Sequence, residues 1–329
     1  MTRLLAILLA LLVPALASAA KHPSYSYFRV GNSADVAPAP QPGIVLMGGS
    51  TDVDAAFQWL CQRSGGGDLL VIRATGTDAY NPYIQDLCPG ENSVATLIIP
   101  DAAAANNATV ADILSKAEAV WIAGGDQSNY INVWTGTPVQ ATLNALIASG
   151  VPVGGTSAGL NVLTQFVYTA QASQGVTSSQ ALANPFNRYM TLGRDFANLP
   201  VLAGIIGDPH FGARDRMGRD LAFLCRIAIN GWSSAPRGIS VDEQTALLVD
   251  AQGNASVVGS GNVYFLKAPG LPEACQSKVP LTYRNIAVDR IRAGDAFNLA
   301  TWQRTGGSAY LVSAEAGVLG STQAGGSPY

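Results

Sequence analysis

Gly154, Gly155, Thr156, Ser157, Ala158 and Gly159 follow an apolar run at 151–153 and precede a helix-like stretch at 160–166. The pattern is that of a strand, a tight turn and a helix with a serine at the apex. Small residues on both sides permit so sharp a bend. A serine hydroxyl is a poor nucleophile unless it is held exposed, beside a base and beside donors for the oxyanion that forms. The chain has only 2 histidines. His22 lies in a loose segment near the N-terminus, which leaves His210 as the base, set in Gly207, Asp208, Pro209, His210, Phe211, Gly212 after an apolar stretch at 201–206. Strand ends are where α/β folds collect catalytic groups, because the loops converge at the carboxyl edge.

A histidine base works best when a carboxylate fixes its tautomer and stabilises the imidazolium. Asp242 and Glu243 end the run 239–241. Alternation along a strand points them to opposite faces, so one of the two faces His210. Asp208, so near in sequence, is a third contender. Gly124, Gly125, Asp126 and Gln127 end the preceding strand-like run. Glycine there lets main-chain N–H groups approach a ligand, so Gly125 or Asp126 offers one oxyanion donor and the Ala158 amide the other. Arg214, Arg216 and Arg219 follow the histidine. Arg216 and Arg219 share a helix face, and Arg214 lies one turn from His210. Guanidinium forks suit carboxylates, so the cluster suggests an acidic substrate; ion pairs with Asp215 and Asp220 are the structural alternative.

These groups need a scaffold that brings strand ends together. Apolar runs at 44–47, 69–72, 94–99, 120–123 and 151–154 read as buried strands. Between them, 53–63, 110–116 and 139–148 carry apolar residues at helical spacing. Strands alternating with helices predict an α/β fold, a mostly parallel sheet flanked by helices on both faces. After Ser157 the pattern loosens into a long polar loop at 170–187 with one short helix. A helix at 213–229 follows, then short β segments at 238–241, 246–249, 256–258 and 263–266 and further strands and turns beyond Pro280. A Gly/Ser-rich tail at 317–329 reads as disordered.

Arg3, the apolar run 4–13, Pro14 and Ala17-Ser18-Ala19 make residues 1–19 a secretory signal peptide cleaved after Ala19. That run is too short for a permanent membrane anchor, which needs about 20 apolar residues. The protein is therefore expected outside the cytoplasm, periplasmic or extracellular. Residues 20–42 read as a loose lead-in, and 43–316 as a single domain, near the upper size for one core. Charged residues are 12% of the chain and the net charge is −3, which argues against nucleic acid as a partner. The oligomeric state is open, a homodimer included. Export makes Cys61, Cys88, Cys225 and Cys275 candidates for disulfides. Of the three pairings, Cys61–Cys88 with Cys225–Cys275 closes the shortest loops. No cysteine spacing suits a metal, and serine chemistry of this kind needs no metal or cofactor.

Taken together, the Gly124–Gln127 turn, the Gly154–Gly159 elbow, His210-Phe211 followed by Arg214, Arg216, Gly218 and Arg219, and Asp242-Glu243-x-Thr245-Ala246 resemble the cyanophycinase branch of a serine peptidase family that also includes aspartyl dipeptidase. The likeness runs from about Gly43 to Thr301, with motif order and spacing kept. It implies a fold like that of class I glutamine amidotransferases with serine at the elbow, and a triad of Ser157, His210 and Glu243. It implies substrate contacts at Gln127, Asp208, Arg214, Arg216 and Arg219; with it, Gly125 and Ala158 are taken as the oxyanion donors. The implied substrate is cyanophycin, a polyaspartate carrying arginine on its β-carboxyls, cut to β-aspartyl-arginine dipeptides. Where such enzymes carry glutamine before the histidine, this chain has Pro209, and 76–92 has no counterpart there. The other expectations are an exported aspartyl or isoaspartyl peptidase and, further off, a silent binding protein on the same scaffold.

Overall fold

The computed structural model of the protein describes residues 24–329. The expected signal peptide, and His22 with it, lie outside the described residues. The alternating pattern of the first half builds the middle of a ten-stranded sheet, in which Ser93–Ile98, Asp68–Arg73, Ala119–Ile122, Val153–Thr156 and Gly43–Met47 run parallel in that order. Antiparallel strands extend it past Gly43–Met47, first Thr245–Asp250 and then Asn254–Gly259. Side chains alternate across this sheet. Val45, Met47, Val71 and Trp121 pack on one face with Phe57 and Leu60 of helix Asp54–Ser64. Ile44, Leu46, Ile72 and Ile122 pack on the other with Leu143 of helix Pro138–Ala148 and Leu163 of helix Ala158–Leu163. Each such fully buried side chain contributes roughly 1.5–3 kcal/mol, which is why both faces read as unbroken apolar runs.

A second, eight-stranded sheet carries the chemistry of the second half. Ile205–Asp208 and Arg237–Val241 lie side by side and parallel in it. Helix Met217–Ile229 covers this sheet, with Met217, Leu221 and Leu224 against Ile206, Tyr264 and Tyr283. The two sheets share a bent hairpin. Arg237–Val241 belongs to the second sheet and Thr245–Asp250 to the first, so residues 242–244 carry the chain across; Asn254–Gly259 and Asn262–Lys267 make the return passage.

Three expectations need correction. The lead-in at 20–42 contains an edge strand, Ser26–Gly31, paired antiparallel with Ser93–Ile98; its backbone fills the open edge of the parallel sheet, a demand that local composition does not reveal. The tail at 317–329 is folded. Val318–Ser321 pairs with Ser308–Glu315, and Tyr329 packs on Phe211 and Tyr264. Third, the helix expected from 213 begins at Met217, because 210–216 forms a tight loop with His210 and Asp215 at positive φ. The loop at 170–187 does hold a short helix, Ser178–Ala183, opened by a Thr177–Gln180 capping box. Cys61 pairs with Cys88 and Cys225 with Cys275, closing separations of 27 and 50 residues.

Candidate active site

Ser157 stands between strand Val153–Thr156 and helix Ala158–Leu163 with φ 52° and ψ −111°. A side chain other than glycine's in so sparsely populated a region costs about 1–3 kcal/mol, and the surroundings hold it there. The Ser157 N–H donates to the Met47 carbonyl at 3.0 Å, and the Asn161 N–H returns to the Ser157 carbonyl at 3.2 Å. The elbow also needs its glycines for room. A Cβ on Gly159 would sit 2.0 Å from the Ile122 carbonyl oxygen, so only glycine lets the helix approach the neighbouring strand this closely.

His210 comes from the second sheet, two residues beyond strand Ile205–Asp208. Its N–H donates to the Gly48 carbonyl at 2.9 Å, and that of Phe211 to the Val241 carbonyl at 3.2 Å. These bonds stitch the loop to both sheets. The imidazole Nε2 lies 2.8 Å from Ser157 Oγ. Its Nδ1 lies 2.6 Å from Oε1 of Glu243, on the crossover between the sheets. With Nδ1–H donating to Glu243, Nε2 is left to accept from the serine hydroxyl. The ring is 6% exposed. Burial lowers the His210 pKa from its ordinary value; the hydrogen bond to Glu243 opposes this, and the charges of Arg214 and Arg216 add to the lowering. The histidine is thus neutral, and able to act as a base, at neutral pH. The Glu243 carboxyl is held below its ordinary range first by its bond to His210, with Arg214 and Ser50 also contributing.

The other two carboxylates have different tasks. Asp242 Oδ1 accepts the Gly212 N–H at 2.9 Å and Oδ2 the Asn262 N–H at 3.0 Å. It braces the His210 loop from behind. Asp208, 1% exposed, accepts from the Arg219 Nε at 2.6 Å and from Arg216 at 3.1 Å. Burial alone would raise the Asp208 pKa, but the two guanidiniums overcome it and hold it low. Asp220 lies beside this group with Ser240 donating to it; burial and the Asp208 charge push its pKa well up. Burial brings Arg216 down to about 10.

Of the residues expected to touch substrate, the geometry therefore leaves one arginine open. Arg219 is committed to Asp208, with its guanidinium over the Tyr168 ring at 5.0 Å. Asp208 faces these arginines rather than the serine. Arg216 also donates to the Pro209 carbonyl at 2.7 Å. Gln127 is buried and its Nε2 donates to the Tyr168 carbonyl at 3.1 Å. Arg214 alone is half-exposed, with its Nε 3.9 Å from Glu243 Oε1. The cause of these internal pairings is burial: an arginine shut in with an aspartate finds its carboxylate inside the protein.

On the other side, Gly125 has φ +151° and a Cβ there would meet only the Tyr130 hydroxyl, at 3.5 Å. The glycine is required by conformation rather than by space. Asp126 caps helix Gln127–Trp134, its carboxylate accepting the Ser128 N–H at 2.9 Å. Ala158 is the first residue of its helix, where the N–H has no intrahelical partner. A helix N-terminus beside the serine favours developing negative charge. The sequence reading missed Gly49, whose φ is +94° and where a Cβ would come 2.4 Å from His210 Cε1. A glycine pair closing a buried strand, as at Gly124–Gly125, was the available signal.

Fold and site together define a serine peptidase on an α/β scaffold. The model of peptidase family S51 matches residues 98–255, a span holding the elbow, His210 and Glu243. Cyanophycinases of Synechococcus elongatus and of Thermosynechococcus vestitus are 27% identical over 279 residues, covering 79% of this chain and 80% of theirs. That of Trichormus variabilis is 28% identical over 223 residues, 66% of this chain and 68% of its own. A peptidase from an acI-B1 Actinobacterium superimposes with a TM-score of 0.52 at 15% identity, over 79% of this chain and 98% of that one; it bears on the fold alone.

Proposed function

We propose that this chain is an exported serine exopeptidase that hydrolyses cyanophycin to β-aspartyl-arginine dipeptides through Ser157, His210 and Glu243. The observation that carries the chemistry is the relay of 2.8 and 2.6 Å from serine through imidazole to carboxylate. His210 Nε2 takes the Ser157 proton as Oγ attacks the scissile carbonyl carbon. The amides of Gly125 and Ala158 donate to the oxyanion. The intermediate collapses, the C–N bond breaks, and His210 returns the proton to the leaving amine. Water then repeats the sequence, releasing acid and restoring the serine. The cyanophycinase relatives favour cyanophycin as the polymer. The leader-like residues 1–19 and the paired cysteines favour an oxidising compartment, periplasmic or extracellular.

One observation favours a second reading, an exported aspartyl or isoaspartyl peptidase. A site with a single exposed arginine, Arg214, suits a ligand that presents one carboxylate. Incubation with cyanophycin, and separately with aspartyl and isoaspartyl dipeptides, followed by mass spectrometry of soluble products, separates the two. Release of β-aspartyl-arginine supports the first; cleavage of dipeptides with the polymer untouched replaces it with the second.

A further inference from the structure

Helix Met217–Ile229 begins after Arg216, which makes no side-chain capping bond, although first-turn N–H groups need an acceptor. The Met217 N–H finds one 112 residues away, donating to the Tyr329 hydroxyl at 2.9 Å. The same hydroxyl donates to Asp215 Oδ1 at 2.8 Å. The Tyr329 ring meets Phe211, the residue after His210, edge-on with centroids 5.5 Å apart. The segment that bears Tyr329 is itself anchored. The Tyr310 hydroxyl donates to the Pro328 carbonyl at 2.9 Å, and Gln323 Nε2 to the Tyr329 carbonyl at 3.1 Å.

What Tyr329 grips is a strained loop. His210 has φ 50° and Asp215 φ 47°, conformations that persist only where the surroundings over-determine them. The His210 end is tied to the Gly48 and Val241 carbonyls. At the far end, the Asp215 carbonyl accepts from the Ser178 hydroxyl, while the Asp215 side chain and the Met217 amide both go to Tyr329. Arg214 stands between these two anchorages, and it is the arginine left open to solvent.

We propose that Tyr329 is a positioning residue, which fixes the far end of the 210–217 loop and so aims Arg214 at a substrate carboxylate. The proposal rests on the reading of Arg214 as a substrate contact. Loss of the hydroxyl frees the Asp215 carboxylate and the Met217 amide but leaves the ties at His210 and the Glu243 crossover in place. Substrate binding should therefore suffer while the chemistry at Ser157 does not.

The test compares the full-length protein with Tyr329→Phe, which keeps the ring. Hydrogen exchange of a peptide spanning 211–217 should quicken by about tenfold or more, against unchanged exchange at 205–208. KM for the carboxylate-bearing substrate should rise by about fivefold or more with kcat within about twofold, and the rate at which a neutral fluorophosphonate labels Ser157 should stay the same. Unchanged exchange and KM would overturn the proposal, as would an equal fall in kcat and labelling rate, which would mean that the hydroxyl supports the triad instead. Failure of the Ser157 reading is separate: it would appear as turnover in Ser157→Ala.

Discussion

Gly49 sets its bare Cα against the His210 ring, so near that a Cβ would lie 2.4 Å from Cε1 and 2.6 Å from Nε2. The glycine works as a template for the imidazole. Its carbonyl also accepts the Gln244 N–H at 3.0 Å, which ties the residue after Glu243 to the same turn. Gly48 and Gly49 thus set the spacing between base and carboxylate from a third element, the end of strand Gly43–Met47.

Gly49→Ala is predicted to push the ring off its contact with Ser157. The expected loss in kcat is about 10²-fold, the scale that follows a misplacement on the order of 1 Å. Circular dichroism should report an intact fold, and wild-type kcat in the folded variant would contradict the template role.

The pH profile follows from the direction of the His210 shift. In the proposed mechanism the neutral imidazole is the active form, and burial with two nearby arginines lowers its pKa below the ordinary 6.5. The acid limb of kcat/KM should fall below that value. Arg214→Ala removes one of the lowering charges, so the limb moves to higher pH and KM rises. A limb that stays fixed in the variant, or moves downward, would show that the Arg214 charge does not reach the imidazole.

The buried group behind the histidine makes a prediction about stability. Asp208→Ala leaves Arg219 and Arg216 without their carboxylate and should destabilise by about 3–5 kcal/mol. Asp220 behaves oppositely. Its folded pKa is raised, so it keeps its proton in the folded state and releases it on unfolding, and its contribution to stability is lost as pH rises above the ordinary 3.8. Asp220→Asn removes that penalty. Its Tm relative to the parent should increase as pH rises above the ordinary 3.8; a gap independent of pH would place the charge elsewhere.

Both disulfides should matter outside a reducing compartment. Cys61–Cys88 and Cys225–Cys275 close 27 and 50 residues, for which chain entropy gives about 3–4 kcal/mol each. Urea denaturation of Cys61→Ser/Cys88→Ser should show a lower midpoint. An unchanged midpoint would mean that this cross-link does not constrain the unfolded chain.

Much of the site was legible because its parts are local. Ser157 lies in a strand–turn–helix signature, His210 was left by elimination, and Gly125 and Ala158 follow from where strands end. The choice of Glu243 over Asp242 came only with the family likeness, because alternation says that two neighbours face apart but not which faces inward. The arginines differ only once folded: Arg214, Arg216 and Arg219 look alike in sequence, and burial, which the tertiary fold sets, leaves only the first open. Tyr329 carried no signal at all. A tyrosine ending a Gly/Ser-rich tail acquires a role only when the sheet edge at Ser308–Glu315 brings it back to Phe211.

The central claim, that Ser157 is a nucleophile activated by His210, is tested most directly by treating the protein with a fluorophosphonate and locating the adduct by peptide mass spectrometry. The account predicts a single adduct on Ser157, none in Ser157→Ala, and labelling slowed by about 10²-fold or more in His210→Ala. An adduct on another residue, or equal labelling of Ser157 with and without the histidine, would contradict it.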